Sequence, residues 1–291
     1  MKPSKAYTIS VYLILTVLVV ILCFPLAMAF FMSFMNVVDL QTMPRPFIPT
    51  KWEFGNYTHI MSSFGTKDDG TSWFGTYFFN TLYTAVLETG GAMLSATFCA
   101  YGFSKVKFKS KNVCFAIMMS TLMIPAVVMQ IPQFILFKNF GWLDTHWVLW
   151  FPSWFGGGAM KIFLMRQFMR SLPDSLFESA FLDGATHLRS YWSIALPLLK
   201  PMLFIDVLGF IGGFGGDWFR PFIYINSQEK WVLGLAIKNM SAAVTSNTDF
   251  GQGNTGVQMA LGMVMSIGPL VTYALGQRNY IENVTITGIK G

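Results

Sequence analysis

The chain has 291 residues, of which 53% are hydrophobic and only 12% charged, and its mean hydropathy is positive. Soluble domains carry about 25% charged residues, so the composition excludes an ordinary water-soluble domain. The net charge of +6 does not point to nucleic acid, because the basic residues lie between apolar runs and are not gathered on one soluble face.

A helix needs roughly 20 apolar residues to cross a bilayer core. Six runs of about that length occur, at 9–34, 77–103, 113–131, 147–168, 202–225 and 257–276, and they predict an all-α, polytopic membrane protein. The first run begins like a signal peptide, with Lys2 and Lys5 ahead of it and Ala27-Met28-Ala29 resembling a cleavage site. It continues uncharged through Phe34, longer than a signal core, so we read a retained helix. Residues 35–76 carry Pro44, Pro46, Pro49 and the pair Asp68-Asp69, enough for a small lid or docking surface.

Within the spans, ionisable groups stand out: Glu88 in the second, Lys161 in the fourth, Asp206 and Asp217 in the fifth. A charge at mid-bilayer costs at least roughly 2.5 kcal/mol, so such groups face the bundle interior or a wet path. A structural ion pair is the preferred reading for Glu88 and Asp206; for Asp217, Trp218 and Arg220 a pair and a solute contact weigh equally. Pro125, Gln130, Pro132 and Gln133 in the third span are able to open a helix and offer amides to a hydroxyl-rich solute, and Gly156-Gly157-Gly158 to loosen the fourth. The competing reading of the small residues is plain helix packing. Trp142, Trp147, Trp150 and Trp154 read as interfacial anchors. Cys23, Cys99 and Cys114 read as small buried hydrophobes, with no disulfide framework.

Between the fourth and fifth spans, Pro173-Asp174-Ser175 predicts a helix start capped by Asp174 or Ser175. Phe177, Phe181, Gly184 and Leu188 recur at helical spacing on one face. Gly184 inside a helix costs up to about 1 kcal/mol relative to alanine, which calls for a packing or bending reason, and Leu196-Pro197 is expected to end the segment. The pattern alone fits an amphipathic helix lying on the membrane as well as one docking into a partner's groove, with Glu178, Asp183 and Arg189 at the rim. Residues 226–256 form a further loop ending in a flexible Gly/Asn/Thr-rich stretch. Twelve basic residues on one side of the six-span arrangement against seven on the other, with Lys161 inside a span, place both termini and the 173–200 segment in the cytoplasm. No phosphate-binding G-x-x-x-x-G-K-[ST] loop occurs, and His59, His146 and His187 lack ligand spacing, so neither ATP, a metal nor catalysis is expected on this chain.

Glu178-Ser179-Ala180, Gly184 and Ile194-Ala195-Leu196-Pro197 resemble the E-A-A-x-x-x-G-x(9)-I-x-L-P loop of ABC importer permeases, with Ser179 replacing one alanine. "WEFGNY", "FFNTLYTA", "AYGFSKVKF", "MIPAVVMQIPQF" and the tail "TGIKG" extend the likeness to the carbohydrate branch, of maltose-transporter type. The resemblance implies a type-1 permease core over 77–277, preceded by an N-terminal helix and loop at 1–76 and followed by a cytoplasmic tail at 278–291. It implies an ATPase-coupling set of Glu178, Ala180, Asp183, Gly184, Ala185, Ile194, Leu196 and Pro197, and a tail contact through Thr287, Gly288 and Lys290. It also implies the assembly: a second homologous permease, two ATPase subunits holding ATP and magnesium, an extracytoplasmic solute-binding protein, a carbohydrate cargo, and surrounding membrane lipid. Gln130, Gln133, Asp217, Trp218 and Arg220 are the candidate translocation path. "GGDWFRPF" departs from the family's Trp-Asn-Asp-Phe-x-Trp-Pro pattern there, and Arg220 leaves room for an acidic solute such as a uronate-containing oligosaccharide. The rival from another class is a self-contained channel or ion-coupled carrier using Glu88 and Asp206; it leaves the loop pattern unexplained.

Overall fold

The computed structural model describes residues 5–246 and 255–288, with side chains placed for all of these except 6, 240–246 and 277–288. Among the described residues the fold is helical, and one isolated bridge between Thr66 and Ser72 is the only extended pairing. Helix α1 spans Lys5–Met32 and is apolar on every face. None of its apolar window is covered by protein, and Leu22 is 71% exposed. A helix that is hydrophobic all round and uncovered belongs in lipid.

Helix α2 runs unbroken over Trp73–Lys105, longer at both ends than the expected 77–103. Its 33 residues rise about 50 Å. Ala92, Ala96, Thr97 and Ala100 form a buried, small-residue face that lets neighbours approach.

The expected third span is two helices. Helix α3, Lys111–Ser120, tightens through a turn at Thr121–Met123, and helix α4, Ala126–Asn139, leaves at 102° to it. Proline disfavours helical backbone in the residue before it, and Ile124, just ahead of Pro125, is extended with ψ 118°. The expected fourth span is also divided. Short turns at Trp147–Trp150 and Phe151–Trp154 precede helix α5, Ala159–Ser171. Gly156, Gly157 and Gly158 between them all take positive φ, at 106°, 63° and 100°.

Helix α6, Asp174–Leu182, is followed by helical turns from His187 to Leu198 and then by helix α7, Lys200–Gly213, bent 66° from those turns. Helix α7 ends at Gly213, and a short helix at Phe219–Tyr224 completes what was expected as one span over 202–225. The loop expected over 226–256 contains helix α8, Leu233–Ser246; the stretch 247–254 lies outside the described residues. Helix α9, Thr255–Gly288, carries the expected last span twelve residues further than 276. Cys99 is half-buried as expected, but Cys23 and Cys114 lie on uncovered apolar faces and all three are free.

By length and composition, Tyr7–Met32 and Thr255–Gly276 can each cross a bilayer, and the two bent pairs raise the number to four among the described residues.

The chain divides into two compact units. The first combines Met1–Phe74 with Ile237–Ile267. Its polar centre is Asn56, whose amide nitrogen donates to the carbonyls of Ser33 and Met35, both at 3.0 Å. A Cβ on Gly256 would sit 2.6 Å from that nitrogen, so glycine lets the start of α9 close on it. In the same unit Phe31, Phe34, Trp52, Phe54 and Tyr57 form a cluster of edge-to-face and tilted ring contacts.

The second unit combines Gly75–Ala236 with Gly268–Gly291, and its described residues include two cores. One joins Ala96, Ala100 and Tyr101 of α2 to Met165 and Met169 of α5, Phe177 of α6, and Tyr191 and Leu199. The other gathers Phe137, Val148, Leu149, Tyr224, Ile225, Val232 and Leu235.

Candidate functional site

The 173–200 segment is held by a cation from α2. Lys105 Nζ donates to Asp174 Oδ1 at 2.6 Å and to the Leu172 carbonyl at 2.9 Å, and lies 4.6 Å over the Phe177 ring. Asp174 therefore does not cap the helix as expected; Pro173 occupies the cap position, and neither Asp174 nor Ser175 bonds the helix start. The hydrogen bond from Lys105 holds the Asp174 carboxyl below the usual carboxylate range. Phe177 is 2% exposed and locks α6 onto Tyr101.

Gly184 is not inside a helix. Helix α6 stops at Leu182, and Gly184 takes left-handed φ of 81°. The amide of Ala185 donates to the Ala180 carbonyl at 2.9 Å and that of Gly184 to the Phe181 carbonyl at 3.0 Å. This is a Schellman termination, which favours glycine because a Cβ disfavours left-handed backbone. A Cβ at Gly184 would meet nothing within 4 Å, so the position faces open space. Thr186 then caps the next turn by accepting from the Arg189 amide at 3.3 Å. The expected single face through Phe177, Phe181, Gly184 and Leu188 is thus interrupted, and Phe181 instead packs on the His187 ring at 4.8 Å.

Pro197 does not end the segment either. Residues Tyr191–Ala195 form a wide turn in which the Leu196 amide bonds the Tyr191 carbonyl, five residues back. Pro197 then falls in the first turn of Leu196–Leu198, where its missing N–H is not needed.

The residues singled out from sequence split by role. Glu178, Asp183, Gly184 and Pro197 are exposed; Ala180 and Ala185 are half-buried. Ile194 and Leu196 pack inward against the core and fix the segment's position. Beside the expected Leu188, sequence reasoning missed further exposed apolar residues: Leu182 is 89% exposed, and Leu176 and Trp192 are exposed too. Such a patch rimmed by polar groups marks an interaction surface. The break at Gly184 hid it, because those residues share no helical period.

A second site lies along α2. Arg220 donates to both Glu88 oxygens, at 2.8 and 3.1 Å, and through Nε to Asp217 Oδ2 at 2.7 Å. A cavity of about 170 Å³ opens beside this cluster, walled by Thr81, Thr84, Phe210, Gly213 and Phe214. Asp217 and Arg220 are therefore brought together with Glu88, while Gln130, Gln133 and Trp218 do not line this cavity. Gln130 is half-buried and Gln133 exposed on α4, and Trp218 meets the Phe219 and Phe222 rings edge to face. The polar stripe Thr81, Thr84, Glu88 was legible as one face of α2 at i, i+3 and i+7. Lys161 pairs with Asp206 at 3.1 Å, so both acids read as structural ion pairs have cationic partners. Among the described residues no cluster of His, Cys, Asp or Glu fits a metal ion. Thr287 and Gly288 lie in the last turn of α9 without described side chains, and Lys290 lies outside the described residues.

The signature of the family described as "Binding-protein-dependent transport system inner membrane component" matches residues 92–276, which include α5, α6, the Gly184 turn and the Asp217 and Arg220 side of the charged cavity. The chain belongs to this family. It is therefore a membrane-embedded permease component of a transport system.

This permease is 28% identical over 285 residues to the galactooligosaccharides transport system permease protein GanQ of Bacillus subtilis, covering 96% of this chain and 94% of that one. It is 28% identical to the sn-glycerol-3-phosphate transport system permease protein UgpE of Yersinia enterocolitica, over 97% and 98% of the two chains. In fold it superposes on a chain of a bacterial ABC transporter involved in the import of the acidic polysaccharide alginate, with TM-score 0.79 and 23% identity over 96% of this permease and 99% of that chain. The permease thus has the fold of an ABC importer's membrane subunit.

Proposed function

We propose that this permease is the membrane subunit of an ATP-driven, binding-protein-dependent carbohydrate importer, forming half of the translocation path. The carrying observation is the 173–200 segment: anchored by Phe177, Ile194, Leu196 and Lys105, it presents Glu178, Asp183, Leu182 and the Gly184 turn outward. A rigidly held short helix with an apolar tip and an acidic rim suits a groove on a partner protein. In this reading the partner is an ATPase chain, which holds ATP and magnesium. Closure of two such chains pushes α6, and the buried contacts of Phe177 with Tyr101 pass the displacement to α2. A second permease supplies the other half of the path, and a solute-binding protein delivers the sugar. Galactooligosaccharide transport by a relative supports an oligosaccharide cargo. Against a self-contained ion-coupled carrier stands the pairing of Glu88 and Asp206 with Arg220 and Lys161, since such a carrier needs acids free to bind a coupling ion.

The test is a detergent pull-down of tagged protein from its native membrane. Wild type is expected to bring down an ATPase and a second permease. Gly184→Trp, which fills open space at the tip, should lose only the ATPase, while Gly184→Asn, which tolerates left-handed backbone, should keep both. Wild type that comes down alone and transports without ATP overturns the reading.

A further inference from the structure

The charged cavity carries an inference about solute class, and it rests on the transport reading above. Arg220 is not a free cation. Its Nε donates to Asp217, each of its two terminal nitrogens donates to one Glu88 oxygen, and one of these also reaches the Leu149 carbonyl at 3.4 Å, which uses four of its five N–H groups. Two carboxylates face one guanidinium, so the cluster holds a formal charge of −1. Thr81 and Thr84 donate their hydroxyl protons to backbone carbonyls of α2, at 2.7 Å to Tyr77 and 2.6 Å to Asn80. Four of the five Arg220 N–H groups and the Thr81 and Thr84 hydroxyl protons are thus committed, while carboxylate lone pairs remain available: each carboxylate oxygen has room for more than one donor. The cavity offers acceptors.

Its size fits a single ring. A cavity of about 150 Å³ holds one benzene, and this one has about 170 Å³. Phe210 and Phe214 supply apolar faces on one wall. A Cβ on Gly209 or Gly213, both in the lining, would meet nothing within 4 Å, so α7 turns a bare backbone edge toward this space.

We propose that this cavity is a subsite for one hydroxyl-rich sugar ring without negative charge, and that Glu88 and Asp217 exclude uronate, phosphate and sulfate groups from it. Sugar hydroxyls donate to the carboxylates and C–H faces rest on the phenylalanines; an anion there meets a net negative cluster whose guanidinium is already paired with two carboxylates. This reverses the expectation that Arg220 marks an acidic solute, because the residue that looked like an anion receptor is neutralised twice over.

The test uses the complete transporter, with its binding protein, in proteoliposomes. A neutral hexose trisaccharide is compared with the same trisaccharide bearing one uronate, and each uptake rate is divided by the occupancy of the binding protein measured separately. Like-charge juxtaposition disfavours the uronate, so wild type should favour the neutral sugar by about tenfold or more. Glu88→Gln with Asp217→Asn should erase most of that preference. Gly213→Leu, which adds a side chain in open space, should abolish uptake of both sugars while the complex keeps its elution volume. Equal uptake of the two sugars by wild type overturns the proposal. So does an unchanged preference in the double variant, or unimpaired uptake by Gly213→Leu. If wild type moves neither sugar, the transport reading itself fails and the subsite with it.

Discussion

Asp144 and His146 show how single residues secure the turn between α4 and the Trp147–Trp150 helix. Asp144 Oδ1 accepts from the amides of Asn226 and Ser227 at 2.9 and 2.8 Å, and Oδ2 accepts from Lys230 Nζ at 3.0 Å. These hydrogen bonds outweigh the cost of burial and hold its carboxyl well below the usual range. The His146 ring donates to the Lys230 carbonyl at 2.7 Å, and burial pushes its pKa down. Both folded-state values lie below the unfolded ones, so both contributions are complete at high pH and fade as pH falls. The histidine contribution begins to fade below about 6.5, the carboxylate one only below about 4. Limited proteolysis of the 140–146 and 226–230 loops should therefore accelerate between pH 7 and 5.5, and His146→Gln should flatten that slope. A wild-type rate independent of pH over this interval contradicts the assignment.

At the scale of elements, breaks and close approaches matter more than helix length. Gly157 and Gly158 both have positive φ, yet they differ in space: a Cβ on Gly157 would lie 2.6 Å from the Ala92 carbonyl of α2, whereas one on Gly158 meets nothing within 4 Å. Alanine at either position costs about 1–2 kcal/mol of backbone strain, and the overpacked site adds about 1–3 kcal/mol. Thermal unfolding in detergent should place Gly157→Ala well below Gly158→Ala. Equal midpoints would mean that α2 and the glycine turn are not in contact. The same contrast governs Gly184, where left-handed backbone and open space combine to put a rigid, bare turn at an exposed tip.

For the whole molecule, the distribution of basic residues is the remaining guide to orientation. The junction between α2 and α3, with Lys105, Lys107, Lys109 and Lys111, should face the cytoplasm, and the 66–72 turn the opposite side. In a variant freed of its three native cysteines, Lys107→Cys should react with an impermeant thiol reagent only after the membrane is opened, and Asp69→Cys in intact cells. The reverse pattern inverts the topology and removes the 173–200 segment from reach of a cytoplasmic ATPase.

The apolar runs determined that the chain is helical and membrane-embedded, and the spacing from Glu178 to Pro197 determined its family, because hydropathy and short fixed-spacing motifs are local properties of a sequence. Breaks inside the runs were only partly legible. Pro125 and the three glycines announced flexibility, but the 102° bend and the helical continuation through Pro197 depend on which neighbours fill the gap. The role of Gly184 was misplaced, since periodicity alone does not distinguish a helix interior from a Schellman turn two residues past the end. The pairing of charges was beyond sequence altogether: Glu88 and Arg220 are 132 positions apart, and Lys161 and Asp206 also lie far apart along the chain. Only the tertiary structure could show that Arg220 is committed to two carboxylates, because the electrostatic character of a cavity is set by the sum of the groups that meet there.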